Sequence, residues 1–152
     1  GVDDAAEFTS LRSAMRDCGV GPGQQAEVWR VLSAILLLGE IDIASAAADA
    51  HTDGDAAIAP EGTVKTVAEL LGVDVAALCR ALSSREINAA GSTTTVTLKA
   101  AEAREAAASL ARALYAALFD WLIATINTGI NEGCAEARAA ASAALTARLA
   151  TL

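Results

Sequence analysis

An alternating run of acidic residues with a histidine is the first group in this chain whose types and spacing could do chemistry. The run Asp49–Asp55 places aspartates at alternating positions around His51, and calcium loops use alternating oxygen ligands with a bidentate carboxylate at the twelfth position. Counted from Asp49 the twelfth residue is Pro60, and histidine is a poor ligand for a hard cation. The run therefore favours a solvated loop, and we predict no metal site.

The glycine-rich run Gly19–Gly23 is the second candidate, because glycine-rich loops can cradle phosphates. It lacks the lysine and hydroxyl residue of the pattern G-x-x-x-x-G-K-[ST], which meet the phosphates and the magnesium ion. We interpret it as the end of a helix. No nucleophile is placed beside the single histidine by sequence, and the three cysteines, at positions 18, 79 and 134, fit no disulfide or metal spacing. We predict no catalytic, cofactor-binding or metal-ligating residue in this chain.

The composition excludes two classes of partner. The net charge of −8 and the acidic isoelectric point argue against nucleic acid, since phosphate binding needs a basic surface. The longest strongly apolar run, Val31–Leu38, is far shorter than the roughly 20 residues that span a bilayer. We expect a cytoplasmic protein with neither membrane nor nucleic-acid partners.

Helical periodicity dominates the pattern of elements. We predict a first helix with Phe8, Leu11 and Met15 on one face, and further helices over residues 24–38, 64–71 and 74–82. A short strand is predicted over residues 41–43 by alternation, followed by an exposed loop over residues 44–62. The β-branched residues after Gly91 predict a β-hairpin over residues 85–97.

A long central helix is predicted over residues 99–127, with Gly129 suited to end it. Leucines at four-residue spacing and the aromatic residues beside them predict that this helix is buried over much of its circumference, with Phe119 in the core. An alanine-rich tail covers residues 131–152. The predicted fold class is mainly α, a helical body with one long central helix and a minor β-hairpin.

Four ordered segments resemble the myosin motor head. They are VDDAAEF at residues 2–8, VWRVLSAILLLGEIDI at 28–43, LLGVD at 70–74 and LYAALFDWLIATIN at 114–127. The resemblance covers about residues 1–130 and implies a piece of the upper half of the actin-binding cleft, within the larger motor fold. The tail, residues 131–152, has no counterpart in it.

The resemblance implies an actin-based, ATP-driven cytoskeletal motor of which this chain is one segment, without the Mg-ATP site of the complete motor. Its implied partners are the actin filament and the rest of the myosin head, and its implied location is the cytoskeleton. Loop 44–62 and hairpin 85–97 correspond to actin-facing loops. The implied actin-binding residues are Arg85, Glu86, Ile87, Asn88, Ser92, Thr93 and Thr94. The alternative is a free-standing alanine-rich helical scaffold whose matches arose from helical patterning.

Overall fold

The computed structural model describes residues 3–46, 54–89 and 92–149 of the chain. Over these residues the fold is mainly α-helical with a β-hairpin, as the sequence predicted, and it has a second small antiparallel sheet that was not predicted. In chain order the elements are α1 (Asp4–Asp17), α2 (Pro22–Leu38), β1 (Ala44–Ser45), β2 (Ala56–Ala57), α3 (Thr63–Leu71), α4 (Val75–Ser83), β3 (Ser84–Ala89), β4 (Ser92–Thr97) and α5 (Ala100–Leu149).

The chain divides into two compact units, and the divisions fall within α2 and within α5. One unit contains residues 28–117, and the other contains residues 1–27 together with residues 118–152. The core of the first unit consists of aliphatic side chains from α2, α3, α4, the start of α5 and the segments between them. Its buried members are Leu38, Ile41, Ile43, Val64, Val67, Ala68, Leu78, Leu82, Leu98, Ala100, Ala103 and Ala107.

Helices α3 and α4 form because their apolar residues recur at helical spacing and their ends carry specific stop and start signals. Gly72 ends α3 in the left-handed conformation, with a φ of 68° that glycine adopts without a Cβ penalty. Asp74 then caps α4, its carboxylate accepting a hydrogen bond from the backbone N–H of Ala77 at 2.8 Å. The two helices therefore present Val67 and Leu82 to one core.

The predicted strand over residues 41–43 is wrong. Ile41 and Ile43 are buried and Asp42 is exposed, so the alternation is real, but strand pairing begins only at Ala44. The carbonyl of Ile43 accepts a hydrogen bond from the guanidinium of Arg104 at 2.8 Å instead of from a neighbouring strand. The predicted loop that follows contains the β1–β2 pair, and residues 47–53, including the acidic run up to Asp53 and His51, lie outside the described residues.

The second unit contains α1, whose first turn is capped by Asp3. The Asp3 carboxylate accepts hydrogen bonds from the backbone N–H groups of Ala5 and Ala6, each at 3.2 Å. The predicted apolar face of α1 is only partly covered, since Phe8 and Leu11 are 46% and 48% exposed. Helical spacing identifies which side chains share a face but does not supply the neighbour that would cover it.

Helix α5 is 50 residues long and does not end at Gly129, so the predicted stop is wrong. Gly129 instead allows close packing within the second unit: a Cβ there would lie 3.3 Å from the Cα of Gly19 and would overlap the backbone carbonyl of Cys18. The alanine-rich stretches further away, at residues 100–117 and 135–148, have high helix propensity and support a continuous helix on both sides of this glycine. The predicted tail is therefore the continuation of α5 as far as Leu149.

The predicted burial of the middle of α5 is also wrong. Leu110, Leu114, Leu118 and Leu122 are partly buried, but several large apolar side chains beside them are exposed, with Phe119 at 50%. The others are Tyr115, Trp121, Ile123 and Ile130. Between Ala100 and Ala144 the helix is long and apolar enough to cross a membrane by length and composition alone, which is weak evidence because core helices of soluble proteins pass the same test.

Candidate interaction surface

The β3–β4 hairpin begins where α4 ends, and its base is fixed at both strands. Ser84 is the C-cap of α4 and the first residue of β3, and its hydroxyl donates to the Arg80 carbonyl at 2.8 Å. At the end of β4, the N–H of Leu98 donates to the carbonyl of Ser83 at 2.8 Å. A hairpin of two strands is marginally stable alone, so these contacts at its base determine where it projects.

The strand register separates the hairpin side chains into two faces of opposite charge. Arg85 is paired with Val96, and Ile87 with Thr94. Residues that are directly opposite in an antiparallel pair share a face, and the face alternates along each strand. We call this set of four the arginine face, and it carries the only charged side chain, Arg85, on that side of the described hairpin.

The opposite side contains Glu86, Asn88, Thr93 and Thr95, and we call it the glutamate face. Glu86 is paired with Thr95, and Asn88 with Thr93. The Thr93 hydroxyl donates to the Asn88 side-chain carbonyl at 2.5 Å, so these two polar groups satisfy each other across the strands. Both faces of the hairpin are exposed over residues 85–88 and 93–97.

Two apolar side chains on the arginine face are exposed to solvent. Ile87 is 41% exposed and Val96 is 36% exposed. They lie on neighbouring strands, at positions two pairs apart in the register, which are consecutive positions on this face. Exposed apolar side chains that are grouped in this way can supply the apolar part of a binding surface, whereas the glutamate face has only polar side chains at its described positions.

The predicted loop 44–62 is held at its base beside the hairpin. The N–H of Ala46 donates to the Asp55 carbonyl at 2.9 Å, and the N–H of Gly54 donates to the Ser45 hydroxyl at 2.8 Å. The ammonium of Lys99, which directly precedes α5, lies 2.7 Å from the Asp55 carboxylate. Both side chains are about half exposed, so this ion pair stabilises the base by no more than ~1 kcal/mol.

Backbone hydrogen bonds join the loop base to the hairpin base at Leu98. Leu98 donates its N–H to Ser83 at the hairpin base, and its carbonyl accepts from the N–H of Ala56 in β2 at 2.8 Å. Two residues further, the N–H of Ala100 donates to the Gly54 carbonyl at 3.0 Å. The two exposed segments therefore leave the core side by side.

The structure brings the predicted site residues together on one hairpin but on different faces. Among those whose side chains are described, Arg85, Ile87 and Thr94 belong to the arginine face. Glu86, Asn88 and Thr93 belong to the glutamate face, and of Ser92 only the backbone position in β4 is described. Sequence reasoning missed Val96, although alternation along β4 places it on the same face as Thr94; the register then shows that this is also the face of Ile87.

The glycine-rich run does not fit the phosphates of Mg-ATP. Three of its four backbone N–H groups are already used: Gly19 donates to the Arg16 carbonyl, Val20 to the Met15 carbonyl, and Gly21 to the Gln24 side chain at 2.9 Å. Gly19 has a φ of 89° and follows the C-cap of α1. The run is therefore a helix end, as predicted, and offers no set of free amides to an anion.

The remaining reactive groups form no second site in the described part of the chain. No three His, Cys, Asp or Glu side chains come together there as metal ligands. Burial raises the pKa of the Cys79 thiol above its ordinary value, so its reactive thiolate form is disfavoured. Asp120, Glu132 and Glu136 are exposed on α5. The hairpin and the loop base beside it are therefore the candidate interaction surface.

Comparison with known proteins assigns the chain to a family. The family model for the myosin head (motor domain) matches residues 1–141, so the match continues beyond residue 130. The chain is 37% identical over 120 residues to Myosin-1 of Aspergillus fumigatus and 38% identical over 120 residues to Myosin-1 of Aspergillus niger. It is 36% identical over 117 residues to human unconventional myosin-Ib.

Each of these alignments covers 76% of this chain but only 9% or 10% of the relative's length. The alignments extend over 117–120 residues, more than twice the length of the 50-residue helix α5, so a match to one apolar helix does not account for them. The chain belongs to the myosin head (motor domain) family.

Proposed function

We propose that this chain acts as a segment of an actin-based, ATP-driven cytoskeletal motor that works in the cytoplasm. Its role in that motor is to contribute two actin-facing segments, loop 44–62 and hairpin 85–97, and a structural helix. The single observation that carries the proposal is the hairpin, which is exposed on both faces yet fixed at its base. Family membership supplies the partner, since the myosin motor family uses actin filaments as its track.

The surface chemistry of the hairpin supports a role in binding. The apolar side chains of Ile87 and Val96 are exposed to water, whereas other aliphatic side chains of the same chain are fully buried in its core. Exposed apolar area of this kind is unfavourable unless a partner covers it, at about 25 cal/mol per Å² of area removed from water. In the proposed role the actin filament is that partner.

The exposed apolar side chains of α5 support the second part of the proposal. Phe119, Trp121 and Ile123 are each more than one-third exposed, although their spacing is that of a buried helix. We infer that other parts of the motor head cover them in the complete protein. Helix α5 would then be a structural helix against which the rest of the head packs.

The same proposal assigns ATP chemistry to the rest of the motor. The glycine-rich run is a helix end in which the amides of Gly19, Val20 and Gly21 are occupied, and no other run in the sequence has the phosphate-loop pattern. We therefore propose that Mg-ATP is bound outside these 152 residues. This chain would contribute contacts to the actin filament and a structural helix, and the rest of the motor would carry out the ATP chemistry.

The experiment is to shorten the hairpin within a complete motor head that carries this chain. Deleting the pairs Asn88–Thr93 and Ala89–Ser92 and closing the strands with Asn-Gly preserves the register, because Ile87 and Thr94 are already a pair. We expect weaker cosedimentation with actin filaments and unchanged nucleotide binding. Unchanged actin affinity with a folded head would contradict the proposal.

A further inference from the structure

We propose that a cavity between the end of α2 and the start of α5 binds a small amphipathic carboxylate, with one anionic group and an aliphatic body. The cavity has a volume of about 470 Å³, and its lining residues all lie in the unit of residues 28–117. This second site is separate from the hairpin and does not depend on the proposed function.

The size of the cavity and its apolar floor are the first argument. Leu38, Ile43 and Ala107 line it and are also buried members of the core. On the α5 side, the lining residues Ala108 and Ala111 carry only methyl groups, which are too short to fill the space. Protein interiors contain few voids larger than a water molecule, whereas ligand pockets measure about 300–1,000 Å³. An apolar cavity of this volume against the core is therefore typical of a ligand site.

The charge at the cavity is the second argument, because both charged lining residues are arginines. Arg112 is neutralised by Glu105, whose carboxylate lies 2.5 Å from its guanidinium. Arg104 donates to the neutral carbonyl of Ile43 at 2.8 Å, and neither ion pair of the described residues includes it. A guanidinium has five N–H donors, so this bond orients Arg104 and leaves donors for a carboxylate.

The acidic residues near the cavity in sequence do not remove this preference. Glu40 and Asp42 are exposed to solvent, and neither lines the cavity. Arg104 therefore supplies one positive charge beside an apolar floor. A ligand with one anionic group and an aliphatic body complements both, whereas an inorganic anion would gain nothing from the floor and a cationic amphiphile would be repelled.

Another apolar cavity of the same unit provides an internal control. It measures about 400 Å³ and is lined by residues of α3, α4 and α5, among them Val73, Ala81 and Leu114. No charged residue lines it, so it has no means of selecting a carboxylate over an alcohol with the same aliphatic body.

The test is an NMR titration of the complete 152-residue chain with octanoate, octanol and octylamine, each below the concentration at which it forms micelles. The backbone amide signals of residues 104–112 report binding at the proposed cavity. We expect octanoate to shift these signals and to bind about two- to fivefold more tightly than octanol at low salt, the range of an exposed ion pair. Octylamine should bind more weakly than octanol.

Two alanine-to-leucine substitutions in helices form a matched pair. Ala111→Leu places a larger side chain in the proposed cavity, and Ala81→Leu places one in the control cavity. We expect Ala111→Leu to weaken octanoate binding about tenfold or more and Ala81→Leu to leave it unchanged. Ala108→Leu takes the place of Ala111→Leu if that variant does not fold. Equal effects at the two cavities would overturn the proposal.

The role of Arg104 is tested by its effect on the choice between ligands. Arg104→Gln should abolish the preference for octanoate over octanol and leave octanol binding unchanged, and Arg104→Lys should retain the preference. An equal loss of affinity for both ligands would mean that Arg104 only supports the fold, which contradicts its role in binding the carboxylate.

Three further outcomes would overturn the proposal. The first is the absence of octanoate binding, and the second is a set of shifts confined to residues 115–130, which would show adsorption on exposed apolar side chains of α5. The third is binding to this chain that is lost in a complete motor head carrying it, because the cavity would then be covered by another part of the head.

Discussion

Ala56 and Leu98 are joined by a backbone hydrogen bond of 2.8 Å, which connects the base of loop 44–62 to the base of the β-hairpin. Leu98 is itself buried, and its N–H is bonded to Ser83 at the end of α4. A displacement of the hairpin base is therefore transmitted to the loop base through one residue, Leu98. The two segments proposed to face actin share one attachment to the core.

The Asp55–Lys99 ion pair should contribute little to folding stability, although it closes this shared base. Both side chains are about half exposed, so solvent screens the pair and removing it should cost no more than ~1 kcal/mol. We expect Lys99→Met to lower the melting temperature by no more than about 4 °C. A larger loss that persists at 1 M salt would mean that the pair is not screened by solvent as its exposure indicates.

Glycines 129 and 133 should respond to alanine in opposite directions. A Cβ at Gly129 would come within 2.9 Å of the Cys18 carbonyl carbon, whereas a Cβ at Gly133 meets nothing within 4 Å. Gly133→Ala should stabilise α5 by about 0.5–1 kcal/mol through helix propensity. Gly129→Ala should destabilise the protein despite the same propensity gain.

Thermal or urea unfolding of the two glycine variants measures this difference directly. Stabilisation by both substitutions would show that α5 does not approach the Cys18–Gly19 backbone as closely as described. The comparison is sensitive because the two sites share a helix and a residue type, so only the local packing differs.

The sequence predicted the local signals well and the tertiary neighbours poorly. The helices predicted over residues 64–71 and 74–82 and the β-hairpin predicted over residues 85–97 are present within about one residue of those bounds, because each depends on residues close in sequence. Gly129 was predicted as a stop because the distant contact with Gly19 is invisible to local patterns. The same limit explains Phe119, whose periodicity indicates an apolar face but not what covers it.

The site residues, too, could be predicted from local sequence only in part. Their presence on one hairpin followed from β-branched residues and a glycine-containing turn. Alternation along β3 already separates Arg85 from Glu86, but which β4 residues share the face of Arg85 needed the register, in which Arg85 opposes Val96 rather than Thr95. A shift of one residue would have placed Thr95 there instead, so the grouping of Arg85 with Val96 could not be read from the sequence.

Gln25 should be the polar residue whose loss is most damaging in the unit that contains α1. Its side chain is 1% exposed, and its amide nitrogen donates to the carbonyls of Arg12 and Val20, each at 3.0 Å. Gln25→Met keeps the approximate volume but leaves these acceptors without their donor, at a cost of about 1–3 kcal/mol. Gln24→Met is the control, since Gln24 is exposed, and it should cost less.

Chemical denaturation of the two glutamine variants provides the measurement. Equal midpoints for Gln25→Met and wild type would mean that the amide is not required for the connection between α1 and α2.

Leu82→Ala should destabilise the isolated chain more than Phe119→Ala. Leu82 is 2% exposed within the aliphatic core, and truncating such a side chain typically costs about 2–5 kcal/mol. Phe119 is 50% exposed, so its truncation removes fewer contacts in this chain. Parallel thermal melts measure the order, and a larger loss for Phe119→Ala would restore the sequence-based expectation that it belongs to the core.

Site-specific photo-cross-linking tests the central claim, that the hairpin of this chain contacts actin, most directly. A benzophenone side chain is introduced at Thr94 in a complete motor head carrying this chain, and at exposed Thr66 on α3 as the control. The nucleotide-free head is irradiated while bound to actin filaments. We predict a covalent actin adduct from position 94 and none from position 66. Efficient filament binding with no adduct from position 94 would contradict the assignment of this hairpin to the actin interface.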